Sequence, residues 1–226
     1  RIENSFIQYL LADRGDGVTT YRVEIKRCPN CDCEYTVWAV GSCNTLDAKF
    51  YTDGFVEGPM YDEGSALLIC PGCNRYFWRE HVPTQESIRD YQYFSNPERK
   101  SLPDSWPVHG RDYEDVLHQA LWKSESQEKY IRIRVWWSFN CAYRDQANEE
   151  SCMPPEQEAN LMRLLQLLDT NDPNESITKA EVLRELGLFD ECVKQLDQPF
   201  EDRYLEAIDA IKNLANLKNR RVGRIG

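Results

Sequence analysis

The chain has 226 residues, 41% of them hydrophobic and 29% charged, with a formal charge of −11. That length and balance suit one large or two ordinary globular domains and exclude wholesale disorder, and two is the better fit. The acidity weighs against a general nucleic-acid binder, which needs a basic surface. No apolar run approaches the roughly eighteen residues of a membrane span, so the chain reads as soluble. Because it opens on Arg1 without a methionine, the natural start and any targeting segment are expected upstream.

The first 26 residues hold a short apolar run (Phe6, Ile7, Tyr9, Leu10, Leu11), a turn-rich Asp13 to Gly17, and an alternating strand from Tyr21 to Lys26. Further strands are expected at Tyr35 to Val40, Lys49 to Thr52, Phe55 to Glu57, Ala66 to Ile69 and Arg75 to Trp78. Asp53-Gly54 between two of them predicts a type I′ hairpin, whose central residues need positive φ. From His81 to Pro107 four prolines break the pattern, which predicts an irregular connection with a short helix near Glu86 to Tyr93. Tyr113 to Trp122 then reads as helix. So does Glu128 to Arg144, although Ile131, Ile133, Val135 and Trp137 alternate as a strand would. Pro154-Pro155 opens a helix with Leu161, Leu164, Leu165 and Leu168 on one face. Thr178 and Glu181 predict a capping box and Gly187 a helix end. Phe189 to Leu196 and Glu201 to Leu217 complete at least four antiparallel helices. The fold class is therefore α+β, with a β-rich domain over 1–107 and a helical domain over 108–226.

The chemistry lies in the cysteines. Cys28-Pro-Asn-Cys31 has a near twin in Cys70-Pro-Gly-Cys73, thirty-eight residues apart. A two-residue gap lets both sulfurs of a pair turn to one ion, and the proline presets the turn. Four thiolates with no open position describe a structural zinc site on Cys28, Cys31, Cys70 and Cys73. Iron is the main metallic rival. A redox dithiol would need a helix starting at its first cysteine, whereas both pairs lie between strands. A disulfide framework belongs to small secreted domains, and nine cysteines leave one over. A reducing, cytoplasmic setting is expected. Cys33 and Cys43 offer a second site with His81, or a substitute for one of the four ligands, but the better reading is small packed residues. Cys141, Cys152 and Cys192 are read as core.

These knuckles resemble those of the zinc-ribbon and rubredoxin-like families, over roughly Tyr21 to Glu80, and the resemblance implies that each turn sits at a hairpin tip. The insertion containing Asp53-Gly54 departs from the shortest ribbons. Ala180 to Cys192, with Gly187 and Phe189, resembles the middle of a tetratricopeptide repeat and implies a packed helical hairpin over Ser176 to Pro199, although no second copy at the family's period is visible and a plain helical bundle fits as well. Ribbon followed by helices is similar in layout to uncharacterised bacterial proteins.

Three functions remain open. The preferred one is a zinc-binding adaptor or regulatory protein with a protein partner. The second uses the ribbon and the basic tail (Lys212, Lys218, Arg220, Arg221, Arg224) on nucleic acid or a transcription complex, although a match to a helix C-terminus explains that tail more simply. The third is an enzyme whose site the sequence does not display. His81, His109 and His118 are scattered, the loop from Asp169 lacks the glycine and glutamate of a calcium site, and adjacent Trp136 and Trp137 read as one core and one half-exposed ring. No catalytic residue is assigned.

Overall fold

A computed structural model of the chain describes residues 20–59, 61, 62, 64–144 and 153–226. The apolar run from Phe6, the Asp13 to Gly17 turn and Cys152 lie outside them. The strands are β1 (Thr20–Arg27), β2 (Glu34–Ser42), β3 (Lys49–Tyr51), β4 (Val56–Glu57), β5 (Leu67–Ile69), β6 (Tyr76–Trp78), β7 (Thr84–Arg89), β8 (Trp106–Pro107) and β9 (Arg224–Ile225). The helices are α1 (Asp90–Phe94), α2 (Pro97–Lys100), α3 (Asp112–His118), α4 (Glu125–Cys141), α5 (Pro155–Leu167), α6 (Pro173–Glu185), α7 (Phe189–Gln195) and α8 (Leu205–Asn216). The class is α+β. Two compact units form: a cysteine unit from the described residues of 20–46 and 58–109, and a helical unit from those of 47–57 and 110–226.

In the cysteine unit, β2, β1 and β7 form one antiparallel sheet and β6, β5 and β8 another. Val23 and Ile25 on β1, and Tyr35, Val37 and Ala39 on β2, are buried, as the alternation of a strand allows. Lys26 is buried too, because its ammonium donates to the Val82 carbonyl at 2.6 Å and to Thr84 Oγ1 at 2.9 Å. The helix expected from Glu86 to Tyr93 forms only in its second half, and the first half, to Arg89, is strand. Val23 pairs with Ile88 and Arg22 with Arg89, and only Asp90–Phe94 is helical, so pairing with β1 overrides local preference. The proline-rich connection is anchored on β2, where the Thr36 amide donates to Pro103 O and Ser105 donates its own amide to Thr36 O.

Two apolar clusters are seen among the described residues of the helical unit. Trp136 packs with Leu161, Leu164, Leu168 and Val182; Ile177, Ala180, Leu183 and Cys192 pack with Ile208, Ile211 and Ile225. The segment from Glu128 is helix, burying Glu128, Ile131 and Val135 on one stripe, and the two tryptophans divide between buried (Trp136) and half-buried (Trp137). Cys192 is core, but Cys141 is exposed at the helix end rather than core. The expected capping box is overturned. The helix starts a turn and a half earlier, where Asp172 Oδ1 accepts from the Asn174 and Glu175 amides and Pro173 takes the first position. Thr178 then lies inside it, donating to Asn174 O. Gly187, at φ +85°, ends it in the left-handed region.

The Asp53-Gly54 hairpin forms, with a different turn. Only Gly54 has positive φ (+81°), the Gly54 amide donates to Tyr51 O, and Tyr51 donates to Phe55 O; this is the three-residue loop with a left-handed glycine at its end. Asp53 is fully buried: its Oδ2 accepts from Asn140 Nδ2 at 2.9 Å and from Arg144, and its carbonyl accepts from Trp137 Nε1 at 2.8 Å. Asn140 Nδ2 also donates to Glu185 Oε1 at 3.0 Å, and Trp136 Nε1 donates to Glu185 Oε2 at 2.8 Å. Beside them Arg184 pairs with Glu181, both with fully buried side chains. Burial, then the charge of Glu181, pushes the Glu185 carboxyl up to about 8. Two close ion pairs, a longer Arg184–Glu185 contact at 3.8 Å and a carboxyl whose burial favours the neutral form thus account for this buried charge. The basic tail is not a free arm. Arg220 Nε donates to Glu185 O, Thr52 and Gly223 exchange hydrogen bonds, and β9 pairs with β3.

Candidate metal centre

Each Cys-Pro-x-Cys turn closes an antiparallel hairpin, one between β1 and β2 and the other between β5 and β6. Strand β1 ends at Arg27 and β5 at Ile69, so each delivers its first cysteine directly into the turn. The two turns repeat one hydrogen-bond pattern. Cys28 N donates to Cys33 O, and Cys70 N to Arg75 O; Asp32 N donates to Cys28 O, and Asn74 N to Cys70 O. Asn30 N points at Cys28 Sγ (3.4 Å) and Gly72 N at Cys70 Sγ (3.3 Å). Asp32 and Asn74 take the left-handed conformation, at φ 57° and 55°, which Asp and Asn tolerate better than most residues.

The four sulfurs lie within 4.8 Å of one another, with Cys28–Cys73 at 3.8 Å and Cys31–Cys70 at 3.7 Å. A tetrahedron with metal–sulfur bonds of ~2.3 Å has edges of about 3.8 Å, so the donor set fits such an ion. It leaves no protein position open for substrate. The separations also exceed the ~2.05 Å of a disulfide, and all four thiols are free. Cys28 and Cys70 are buried while Cys31 is exposed, so one side is sealed by the cluster of Tyr35, Val37, Leu68 and Phe77. The pairs titrate unevenly. Burial opposes ionisation of Cys28, yet the Asn30 and Cys31 amides bring it down to about 7, whereas burial drives Cys70 up to about 12 against the Gly72 and Cys73 amides. Four adjacent thiols cannot all ionise cheaply without a cation between them.

Cys33 stands apart. It occupies the place of Arg75 in the twin turn, and its Sγ faces Glu34 O at 3.4 Å. The four-cysteine group is the only cluster of metal-binding type among the described residues, so Cys33, Cys43 and His81 are not brought together as a second one. Four further residues support the site. A Cβ on Gly72 would lie 2.8 Å from Cys33 Cβ, so glycine lets the knuckles meet. Asp32 and Asn74 carry a readable signal, an Asp or Asn directly after each second cysteine. Tyr35 gives none: its ring is fully buried against the cysteines, its hydroxyl has no hydrogen-bond partner among the described residues, and burial followed by the Cys28 charge raises its pKa.

No helix among the described residues is long and apolar enough to cross a membrane. Set against known proteins, the chain matches no family model, no curated protein and no solved structure.

Proposed function

We propose that the chain is a zinc-stabilised interaction protein, an adaptor or regulatory subunit, in which Cys28, Cys31, Cys70 and Cys73 hold one structural Zn²⁺. The observation that carries the metal is the pair of sulfur separations, 3.7 and 3.8 Å, joining two otherwise separate hairpins. Zinc there cross-links the β part and does no chemistry on a substrate. The adaptor role draws support from exposed aromatic surface on the cysteine unit: Phe94 is 56% exposed and packs its ring on Trp38, and Trp106 is 51% exposed. Such rings are enriched where proteins meet. The nucleic-acid reading has less support, because its basic tail is engaged with β3 and α6.

Elemental analysis of the purified chain should give about one zinc per molecule. Cys28→Ser or Cys73→Ser should lose it and unfold the cysteine unit while the helices persist. Metal-free protein with four reactive thiols would refute the centre; a coloured, iron-containing protein would change its metal. For the adaptor role, Phe94→Ala should abolish co-purification of a defined partner from the native cell, and a partner retained equally by both proteins would count against this surface.

A further inference from the structure

A cavity of ≈ 60 Å³ opens in the helical unit between the end of α4, the approach to α5, the end of α6 and the C-terminal segment. Its wall is apolar, made by the Phe139 and Tyr143 rings, 5.3 Å apart, and by Met153. Its floor is polar and buried, made by Asn140 (3% exposed) and Glu185 (1%), already joined to each other and to Trp136. Its rim is cationic. Arg220 is held by its Nε on Glu185 O at 2.7 Å, which leaves the rest of the guanidinium facing Met153. Arg221 lines the same cavity, and its side chain has no hydrogen bond or ion pair among the described residues.

Charge selects the occupant. Asp53 is answered by Arg144 and Glu181 by Arg184, whose Nη2 also lies 3.8 Å from Glu185 Oε1, and burial raises the Glu185 carboxyl to about 8, which favours its neutral form at pH 7. The arginines of the rim are therefore uncompensated by the floor, in a chain whose net charge is −11. The volume takes only a few heavy atoms, about two waters' worth. A planar guanidinium matches a carboxylate bidentately, and the neighbouring rings suit a short apolar body held at the mouth.

We infer that this cavity is a binding site for a carboxylate carried on a small apolar or aromatic group, with Arg221 as its principal ligand and Phe139 and Tyr143 as the platform for the group's body. Two sources present that chemistry, a free small acid and the C-terminus of a peptide ending in an apolar residue. The inference is independent of the metal centre.

The test is fluorine NMR of 4-fluorobenzoate with the full chain, alongside neutral 4-fluorobenzamide. The benzoate signal should broaden on adding protein and the benzamide signal should not. Arg221→Ala, folded by circular dichroism, should weaken binding about ten-fold or more, and Arg221→Lys by less. Competition by acetyl-Gly-Phe but not by its C-terminal amide identifies a peptide terminus as the source; competition by phenylacetate alone identifies a free acid. Equal broadening of the benzamide, undiminished binding in both Arg221 variants, or displacement by inorganic phosphate as effective as by phenylacetate would each overturn the assignment.

Discussion

Replacing Glu185 with glutamine should remove much of the pH dependence of the helical unit's stability. In the unfolded chain this carboxyl titrates near 4.5, whereas in the fold it titrates at about 8. Burial is the main cause. The charges facing it come from Glu181 and Arg184 on its own helix, Asp53 in the β3–β4 turn, and Arg220 from the C-terminal segment. The sign follows from proton counting. Below 4.5 both states hold the proton, so the contribution of the neutral acid is fully present. Between 4.5 and 8 the unfolded chain has released a proton that the fold keeps, and stability falls as pH rises. Above 8 both states are ionised and the loss is complete. At ~1.4 kcal/mol per pH unit the total is about 5 kcal/mol.

Urea unfolding followed by helical circular dichroism from pH 5 to 8.5 measures this directly. Wild type should lose several kcal/mol across the range, and Glu185→Gln, isosteric and uncharged, should be the more stable protein at pH 8. A residual slope at the acid end belongs to Asp53, which burial also shifts upward. Glu128 works in the opposite sense outside this window: Arg163 and Arg132 overcome its burial and hold its carboxyl low, so its contribution is lost only as pH falls below its ordinary range. Parallel stability curves for the two proteins would refute a neutral buried acid at 185.

Three further outcomes follow from the geometry. Gly72→Ala forces a Cβ to within 2.8 Å of Cys33; it should destabilise the cysteine unit by about 1–3 kcal/mol and speed zinc loss to a chelator, read by thermal melting and a metallochromic dye. Cys33→Ser should keep about one zinc per chain, whereas Cys31→Ser should not, as elemental analysis will show. Truncation after Asn219 removes β9 and the buried Ile225 and should cost the helical unit about 2–3 kcal/mol or more, seen as a lower denaturant midpoint. Any loss of nucleic-acid binding in that truncation would therefore be ambiguous, and Arg221→Glu in the full chain is the cleaner comparison.

The residues that were legible and those that were not differ in the range of the physics that places them. Cys28, Cys31, Cys70 and Cys73 announce themselves because metal-ligand spacing is a local constraint, met within one turn, and the strands on either side alternate locally. The helices after Pro155 are equally local, with stripe, cap and terminal glycine all in the sequence. Glu86 to Arg89 misleads because its conformation is decided by a partner strand more than sixty residues away in the chain, and Thr178 misleads because its capping pattern with Glu181 falls inside a helix already opened by Asp172-Pro173.

Asp53 shows the limit most clearly. In the sequence it is a turn residue, and turn residues are read as solvent-facing. In the fold its carboxylate is fully buried and accepts from Asn140 and Arg144, and its carbonyl accepts from Trp137, all on or just past α4. Within the hairpin the Phe55 amide donates to Asp53 Oδ1 at 3.1 Å, but the partners that bury the carboxylate are distant in sequence. That arrangement follows from the tail pairing with β3, which holds this hairpin against the helices. The turn that marks a departure from a short ribbon is the anchor of the helical unit. The same closure brings Arg220 and Arg221 to the mouth of a cavity floored by Glu185, so the tail's positive charge gains a location that composition alone does not provide.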